Sequence, residues 1–168
     1  ASLADAVDLP ESAMPTGIDG CSAPNYALPL SKLAHLYARL GQGGKDARLG
    51  EALGPLFDAM TGHPDMVSGT ERSDLVIMTA GGGDWVAKVG ADAVQAIGIR
   101  SAGIGIAIKI ADGNSRGMHT VTYNVLDQLG LLDDAKRTVL ERFRRPEIRN
   151  ARGTLAGDIR PLFTLQRA

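Results

Sequence analysis

A solitary cysteine stands in a segment whose composition favours a tight turn. Cys21 follows Asp19 and Gly20 and precedes Pro24, all of which are common in turns. A free cysteine is most often a small buried hydrophobe. A thiolate stabilised by neighbouring helix amides could instead bind a metal or react. The spacing alone leaves both interpretations open.

A lysine lies within a short run that predicts a β-strand. Lys88 occurs in the sequence Trp-Val-Ala-Lys-Val-Gly at 85–90. If Lys88 faces a site, its ammonium would meet an anion there, and N–H groups near Gly90 could hold a developing oxyanion. If the strand lies at the edge of a sheet, the lysine points into water and protects that edge from aggregation. The pattern alone favours the second interpretation.

The residues that often supply a catalytic nucleophile lack an activating partner in this sequence. No serine or threonine has a lysine three residues later, the spacing that would place an amine one helical turn away. No Walker loop is present. His35, His63 and His119 show no His-x-x-x-His pair and no cysteine partner at ligand spacing. We therefore assign structural or surface roles to the histidines.

The overall composition excludes several classes of partner. The chain has 168 residues, of which 44% are hydrophobic and 22% charged, a balance typical of a globular domain. Its net charge of -1 offers no attraction for nucleic acid or an anionic membrane. No apolar run approaches the ~20 residues of a membrane span. A single cysteine excludes an internal disulfide and fits a reducing compartment, so we expect a cytoplasmic protein.

The hydrophobic spacing predicts an α+β fold in one domain, with helices packed on a mainly antiparallel sheet. Four segments have helical spacing, at 28–40, 47–60, 118–129 and 133–143. Three segments have strand character and short connections, at 85–90, 94–99 and 103–110. Residues 74–80 suit either a helix or a strand, and residues 150–163 suit a hairpin or an edge strand. Residues 1–16 are expected to form a loop.

Five motifs follow one another along the chain, and the first is Gly-Ile-Asp-Gly-Cys-Ser-Ala-Pro at 17–24 with Ala-Leu-Pro-Leu at 27–30. The others are at 63–67 with 69–70, at 87–95, at 105–113, and at 148–150 with Gly153. In this order they resemble the asparaginase II family of bacteria, whose members hydrolyse the side-chain amide of L-asparagine. That family is similar in fold to serine β-lactamases and glutaminases, so the resemblance implies the second half of such a fold.

The resemblance implies roles for five residues. Lys88 would be the strand lysine that orients or electrostatically activates a Ser-x-x-Lys pair. Backbone N–H groups near Gly90 and Ala91 would contribute to an oxyanion hole. Asp92, where the family usually has Glu, would meet the α-ammonium of the substrate. Cys21 matches a family cysteine that can join a metal or cysteine pair beside the site, so no cofactor is required but zinc could bind.

The resemblance also implies that the nucleophilic serine and its lysine belong to an amino-terminal half outside this sequence. We therefore expect residues 1–168 to be the carboxy-terminal portion of a larger L-asparaginase, inactive alone. Its partners would be L-asparagine and the missing amino-terminal segment, and an exposed hydrophobic face would favour a homo-oligomer. Glu71 stands where the family has Gly. The alternative is a non-catalytic domain that binds a small molecule or has a structural role.

Overall fold

The computed structural model describes residues 2–166 and has the α+β architecture that the sequence predicts. The helices are α1 Ser2–Val7, α2 Leu30–Gln42, α3 Gly50–Gly62, α4 Pro64–Ser68, α5 Ser73–Gly81, α6 Ser115–Gln128 and α7 Asp134–Arg144. The strands are β1 Thr16–Ile18, β2 Pro24–Tyr26, β3 Trp85–Gly90, β4 Val94–Ile99, β5 Ile104–Lys109, β6 Glu147–Arg149 and β7 Leu155–Asp158. Within the described residues, no helix is both long and apolar enough to cross a membrane.

The central sheet is an antiparallel meander in the order β3, β4, β5, so β3 is an edge strand. Its register pairs Gly98 of β4 with Val86 of β3 and with Gly105 of β5. Because side chains alternate along a strand, these positions and Lys88 face the same side of the sheet. The predicted strands at 85–90 and 94–99 are confirmed at both ends.

Helix α2 lies directly against this face because two paired glycines leave room for its backbone. A Cβ added at Gly105 would lie 1.8 Å from the carbonyl oxygen of Ala34, and one at Gly98 would lie 2.2 Å from that of Tyr37. Only a residue without a side chain permits so close an approach. Helix α3 completes the layer, and its Phe57 is fully buried.

The opposite face of the sheet carries the larger core. There the strands pack with α5, α6 and α7 around buried side chains that include Ile77, Trp85, Ile97, Leu126 and Leu140. Helices therefore cover both faces of the sheet. Burial on both faces explains why β4 is almost continuously apolar instead of alternating between apolar and polar residues.

The expectation that residues 1–16 form a loop is wrong, because residues 2–7 form α1. A helix of six residues is too short to show a clear hydrophobic period, and it is stabilised by tertiary contacts. Val7 is fully buried, and Nη1 of Arg39 in α2 donates to the carbonyl oxygens of Asp5 and Ala6 at 2.8 and 2.9 Å. Residues 74–80, left undecided by the sequence, belong to helix α5.

Candidate functional site

A cleft of about 490 Å³ opens beside the carboxyl end of strand β3. Helix α4 and the residue before α5 form one wall, and the end of β3 with the following turn forms the other. The lining residues are Met66, Val67, Ser68, Arg72, Lys88, Val89, Gly90 and Ala91. Three residues singled out from the sequence, Lys88, Gly90 and Ala91, therefore share one site.

A fully buried carboxylate anchors this cleft. Asp74, in the first turn of α5, is 0% exposed. Its Oδ2 accepts a hydrogen bond from the backbone N–H of Val89 at 2.9 Å and lies 3.5 Å from Nζ of Lys88. Its Oδ1 accepts from Nε2 of Gln95, itself fully buried, at 3.2 Å. A buried carboxylate is tolerated only with such partners, so Asp74 fixes the end of β3 against α5.

Lys88 combines the two interpretations that the sequence left open. Strand β3 is an edge strand, and the Lys88 side chain is 42% exposed. Its ammonium nevertheless turns back to the protein, where it donates to the carbonyl oxygen of Val89 at 3.0 Å and approaches Asp74. An ammonium has three N–H donors, and these two contacts within the described chain leave one for an anion in the cleft.

The turn that connects β3 to β4 has a strained backbone beside the cleft. Asp92 and Ala93 have φ angles of 53° and 56°, a left-handed conformation that costs an alanine about 1 kcal/mol or more. The end of β5 holds this turn, because Nζ of Lys109 donates to the carbonyl oxygen of Asp92 and the N–H of Ile110 donates to that of Ala93. Such strain is frequent at functional sites. The Asp92 side chain does not line the cleft, and its role with substrate stays a prediction.

Cys21 lies in the turn of the β1–β2 hairpin and not in the lining of the cleft. The thiol is exposed, so the interpretation of Cys21 as a buried hydrophobe is wrong. Across residues 2–166, no group of three His, Cys, Asp or Glu side chains is arranged to hold a metal ion. The described residues therefore do not form a zinc site by themselves, and zinc at Cys21 stays a prediction.

Four polar residues at or beneath the cleft were not predicted from the sequence to be site residues: Ser68, Arg72, Asp74 and Gln95. Arg72 adds a second cation to the lining. The hydroxyl of Ser68 is buried and has no hydrogen-bond partner within the described residues. Gln95 carried a usable signal, since a lone amide inside the apolar run of β4 needs a buried partner. Asp74 carried none, because its segment suited helix and strand equally.

One serine lies in a sequence pattern that is typical of a catalytic nucleophile. Residues 113–117 are Gly-Asn-Ser-Arg-Gly, which fits the Gly-x-Ser-x-Gly pattern of a nucleophile elbow. In an elbow the serine occupies the strained position of a strand-to-helix turn. Here Gly113, not Ser115, has the positive φ, and Asn114 caps α6 by accepting from the N–H of Arg116 at 2.9 Å. The segment is a helix cap, and it does not form an elbow.

A second cleft, of about 510 Å³, lies between α6, α7 and β6. Its lining includes His119, whose ring stacks on Phe143 with the ring centroids 4.7 Å apart. Burial, reinforced by the charge of Arg142, lowers the pKa of His119 below its usual value. A half-buried imidazole that stacks on Phe143 is consistent with the structural role that we assigned to this histidine.

The fold and the cleft define an α+β protein with a cation-lined site at the end of an edge strand. The family model for L-asparaginase II matches residues 1–161. The chain belongs to the L-asparaginase II family, which confirms the resemblance carried by its motifs and suggests an asparaginase-like function. No curated protein matches the chain.

Proposed function

We propose that this chain is part of an amidohydrolase that converts L-asparagine to aspartate and ammonia, and that the cleft beside β3 belongs to its active site. One observation carries the proposal. The chain belongs to the L-asparaginase II family, and a single cleft is lined by Lys88, Gly90 and Ala91, the residues that the family motif at 87–95 assigns to the active site.

The cleft offers groups that suit an amino-acid substrate. L-asparagine carries an α-carboxylate, an α-ammonium and a side-chain amide. Arg72 lines the cleft and supplies a guanidinium for the carboxylate, since arginine pairs well with such groups. Backbone N–H groups near Gly90 and Ala91 would stabilise the oxyanion that forms when the amide carbon is attacked. Asp92 would meet the α-ammonium.

The nucleophile in this proposal comes from a segment outside the chain, because no serine or threonine here has a lysine three residues later. A serine oxygen would attack the amide carbon, the C–N bond would break as the nitrogen takes up a proton to leave as ammonia, and water would hydrolyse the ester to aspartate. The Lys88 ammonium would stabilise the negative charge that develops near the nucleophile. Lys88 lines the cleft and its side chain is 42% exposed, as this role requires.

The test is ammonia release from L-asparagine by the longest natural form of the protein, with and without Lys88→Ala. We expect Lys88→Ala to lower kcat/KM by about 100-fold, the loss that follows removal of an electrostatic stabiliser. Lys45→Ala, at an exposed lysine between α2 and α3, is the matched control and should retain full activity.

Two outcomes would contradict the proposal. If the natural form binds L-asparagine without releasing ammonia, the alternative of a non-catalytic binding domain is favoured. If ammonia is released and Lys88→Ala behaves like Lys45→Ala, the hydrolase activity stands but the assigned role of Lys88 is wrong.

A further inference from the structure

Building on the proposed function, we propose that Asp74 is a positioning residue of the cleft. Its carboxylate holds the Lys88 ammonium and the backbone of Val89 in a fixed mutual arrangement. The family motifs recognised in the sequence do not include Asp74, and the residue does not line the cleft. It would act on the reaction only through Lys88 and through the strand end that carries Gly90.

The geometry of one carboxylate oxygen supports this role. Oδ2 of Asp74 accepts from the Val89 N–H at 2.9 Å and attracts the Lys88 ammonium at 3.5 Å. Two consecutive residues are thereby tied to the same atom, one through its backbone and the other through its side chain. The position of the cation is thus set relative to the backbone that leads into Gly90 and Ala91. Displacing that cation by 1 Å is enough to slow a reaction greatly.

The burial of Asp74 argues against a purely structural carboxylate. Removing a carboxylate from water is costly, and a neutral side chain with the same hydrogen bonds would hold α5 to β3 at lower cost. Asp74 is 0% exposed, while Lys88 keeps a side chain that is 42% exposed. The charged partner of the Asp74 carboxylate is therefore Lys88, which lines the cleft, where its ammonium would serve catalysis.

The environment of Gln95 makes a charge-only substitution feasible. Gln95 donates from Nε2 to Asp74, while its Oε1 is buried without a hydrogen-bond partner in the described chain. In Asp74→Asn, rotation of the Gln95 amide would present Oε1 to the new Nδ2 group and would give up the 3.3 Å hydrogen bond from Nε2 to the carbonyl oxygen of Ala96. The asparagine oxygen could still accept from the Val89 N–H. The substitution then removes the charge near Lys88 and keeps the packing of α5 on β3.

A double-mutant cycle in the longest natural form is the first test. We expect Asp74→Asn to lower kcat about 10-fold or more with little change in KM, because orientation is lost and binding is kept. In a Lys88→Ala background the same change should cost almost nothing, since the asparagine keeps the hydrogen bond from the Val89 N–H and only the contact with Lys88 is altered. Asp46→Asn, at a buried and hydrogen-bonded carboxylate elsewhere in the molecule, is the control and should leave kcat unchanged.

A second readout does not depend on activity. The chain is labelled with an amine-reactive acetylating reagent, and the ratio of acetylation at Lys88 to that at Lys45 is measured by peptide mass spectrometry. An ammonium held by a carboxylate is less available, so Asp74→Asn should raise this ratio several-fold. If Asp74→Asn does not fold, Gln95→Met serves instead: it removes the Nε2 donor to Oδ1, leaves the Asp74 carboxylate to attract Lys88 more strongly, and should lower the ratio.

The outcomes separate the two proposals. Absence of ammonia release from the wild-type natural form defeats the proposed function, while the labelling ratio still decides whether Asp74 holds Lys88. Additive losses in the cycle, or an unchanged labelling ratio in a folded variant, would show that Asp74 is structural and would overturn the inference.

Discussion

The ion pair between Arg39 and Asp46 is shielded from solvent at both side chains and is called the closed pair below. The pair between Lys88 and Asp74 has a buried carboxylate and a partly exposed lysine, and is called the open pair. In the first, the guanidinium makes two hydrogen bonds of 2.7 and 2.9 Å, and the two side chains are 11% and 8% exposed. In the second, the carboxylate is fully buried, but the ammonium lies 3.5 Å away and the lysine side chain is 42% exposed.

The closed pair belongs to the α2 side of the sheet. Asp46 also accepts from the N–H of Leu49 at 2.8 Å, while Arg39 donates to carbonyl oxygens at the end of α1. The pair thus joins three segments. The open pair joins α5 to an edge strand and leaves a cation facing a cleft. The difference teaches that saturation of a pair's donors, more than burial of its carboxylate, separates a structural pair from a candidate functional one.

The largest expected effect on stability concerns the glycines under α2. Gly105→Ala would place a Cβ 1.8 Å from the carbonyl oxygen of Ala34, so α2 must move off the sheet. We expect a loss of about 3 kcal/mol or more in the free energy of unfolding, the upper range for overpacking. Gly90→Ala, at the cleft, meets only the Val94 side chain at 3.3 Å and should cost about 1 kcal/mol. Urea denaturation measures both, and equal losses would contradict the contrast.

Breaking each ion pair tests the comparison directly. Asp46→Asn should lower the free energy of unfolding by about 2 kcal/mol, as expected for weakened hydrogen bonds to a charged group, because Arg39 loses the charge of its partner but keeps its bonds to the carbonyl oxygens of Asp5 and Ala6. Lys88→Ala should cost about 1 kcal/mol, since the Lys88 side chain is 42% exposed and the Asp74 carboxylate keeps its hydrogen bonds from the Val89 N–H and from Gln95. A larger loss for Lys88→Ala than for Asp46→Asn would refute the distinction between closed and open pairs.

The lowered pKa of Asp46 in the closed pair also predicts that the free energy of unfolding falls at acidic pH. The hydrogen bonds from Arg39, and after them those from Leu49 and Arg48, hold the pKa of Asp46 far below its usual value. A carboxyl whose folded pKa is lowered stabilises the protein fully above its unfolded pKa of about 4, and this contribution disappears as pH falls below that value. Wild type should therefore lose more stability than Asp46→Asn between pH 5 and pH 2, as followed by urea denaturation. Parallel pH profiles would contradict this assignment.

The smallest expected effect links the two regions through a tyrosine. Burial, and then the negative charge of Asp74, raise the pKa of Tyr37 in α2 to about 12. Asp74→Asn should lower the Tyr37 pKa because one of its two causes is removed while burial remains. NMR titration of ¹³C-labelled tyrosine, assigned with Tyr37→Phe, would measure the change. An unchanged value would mean that the charge of Asp74 is fully compensated by its own partners.

Much of the fold could be predicted because its segments carry their own periodicity. Strands β3 and β4 were bounded correctly, and α6 and α7 were located by apolar spacing. The tail segment 150–163, expected to form a hairpin or an edge strand, contains β7 only, and β7 pairs with β6, which precedes that segment. The cleft was predicted in part, since Lys88, Gly90 and Ala91 belong to one short motif. Asp74 and Arg72 were missed because their contribution depends on α5 packing beside β3, and no local pattern reports that contact.

The sequence by itself determined the α+β class, the antiparallel order of the central strands and the family motifs, because alternation, turn residues and motif spacing are local properties. Tertiary structure alone decided that residues 74–80 are a helix, that residues 2–7 form α1, and that both faces of the sheet are buried. It also decided the character of Lys88. Whether a lysine on a strand faces only water or a site depends on what approaches it from elsewhere in the chain, and here that group is the buried carboxylate of Asp74.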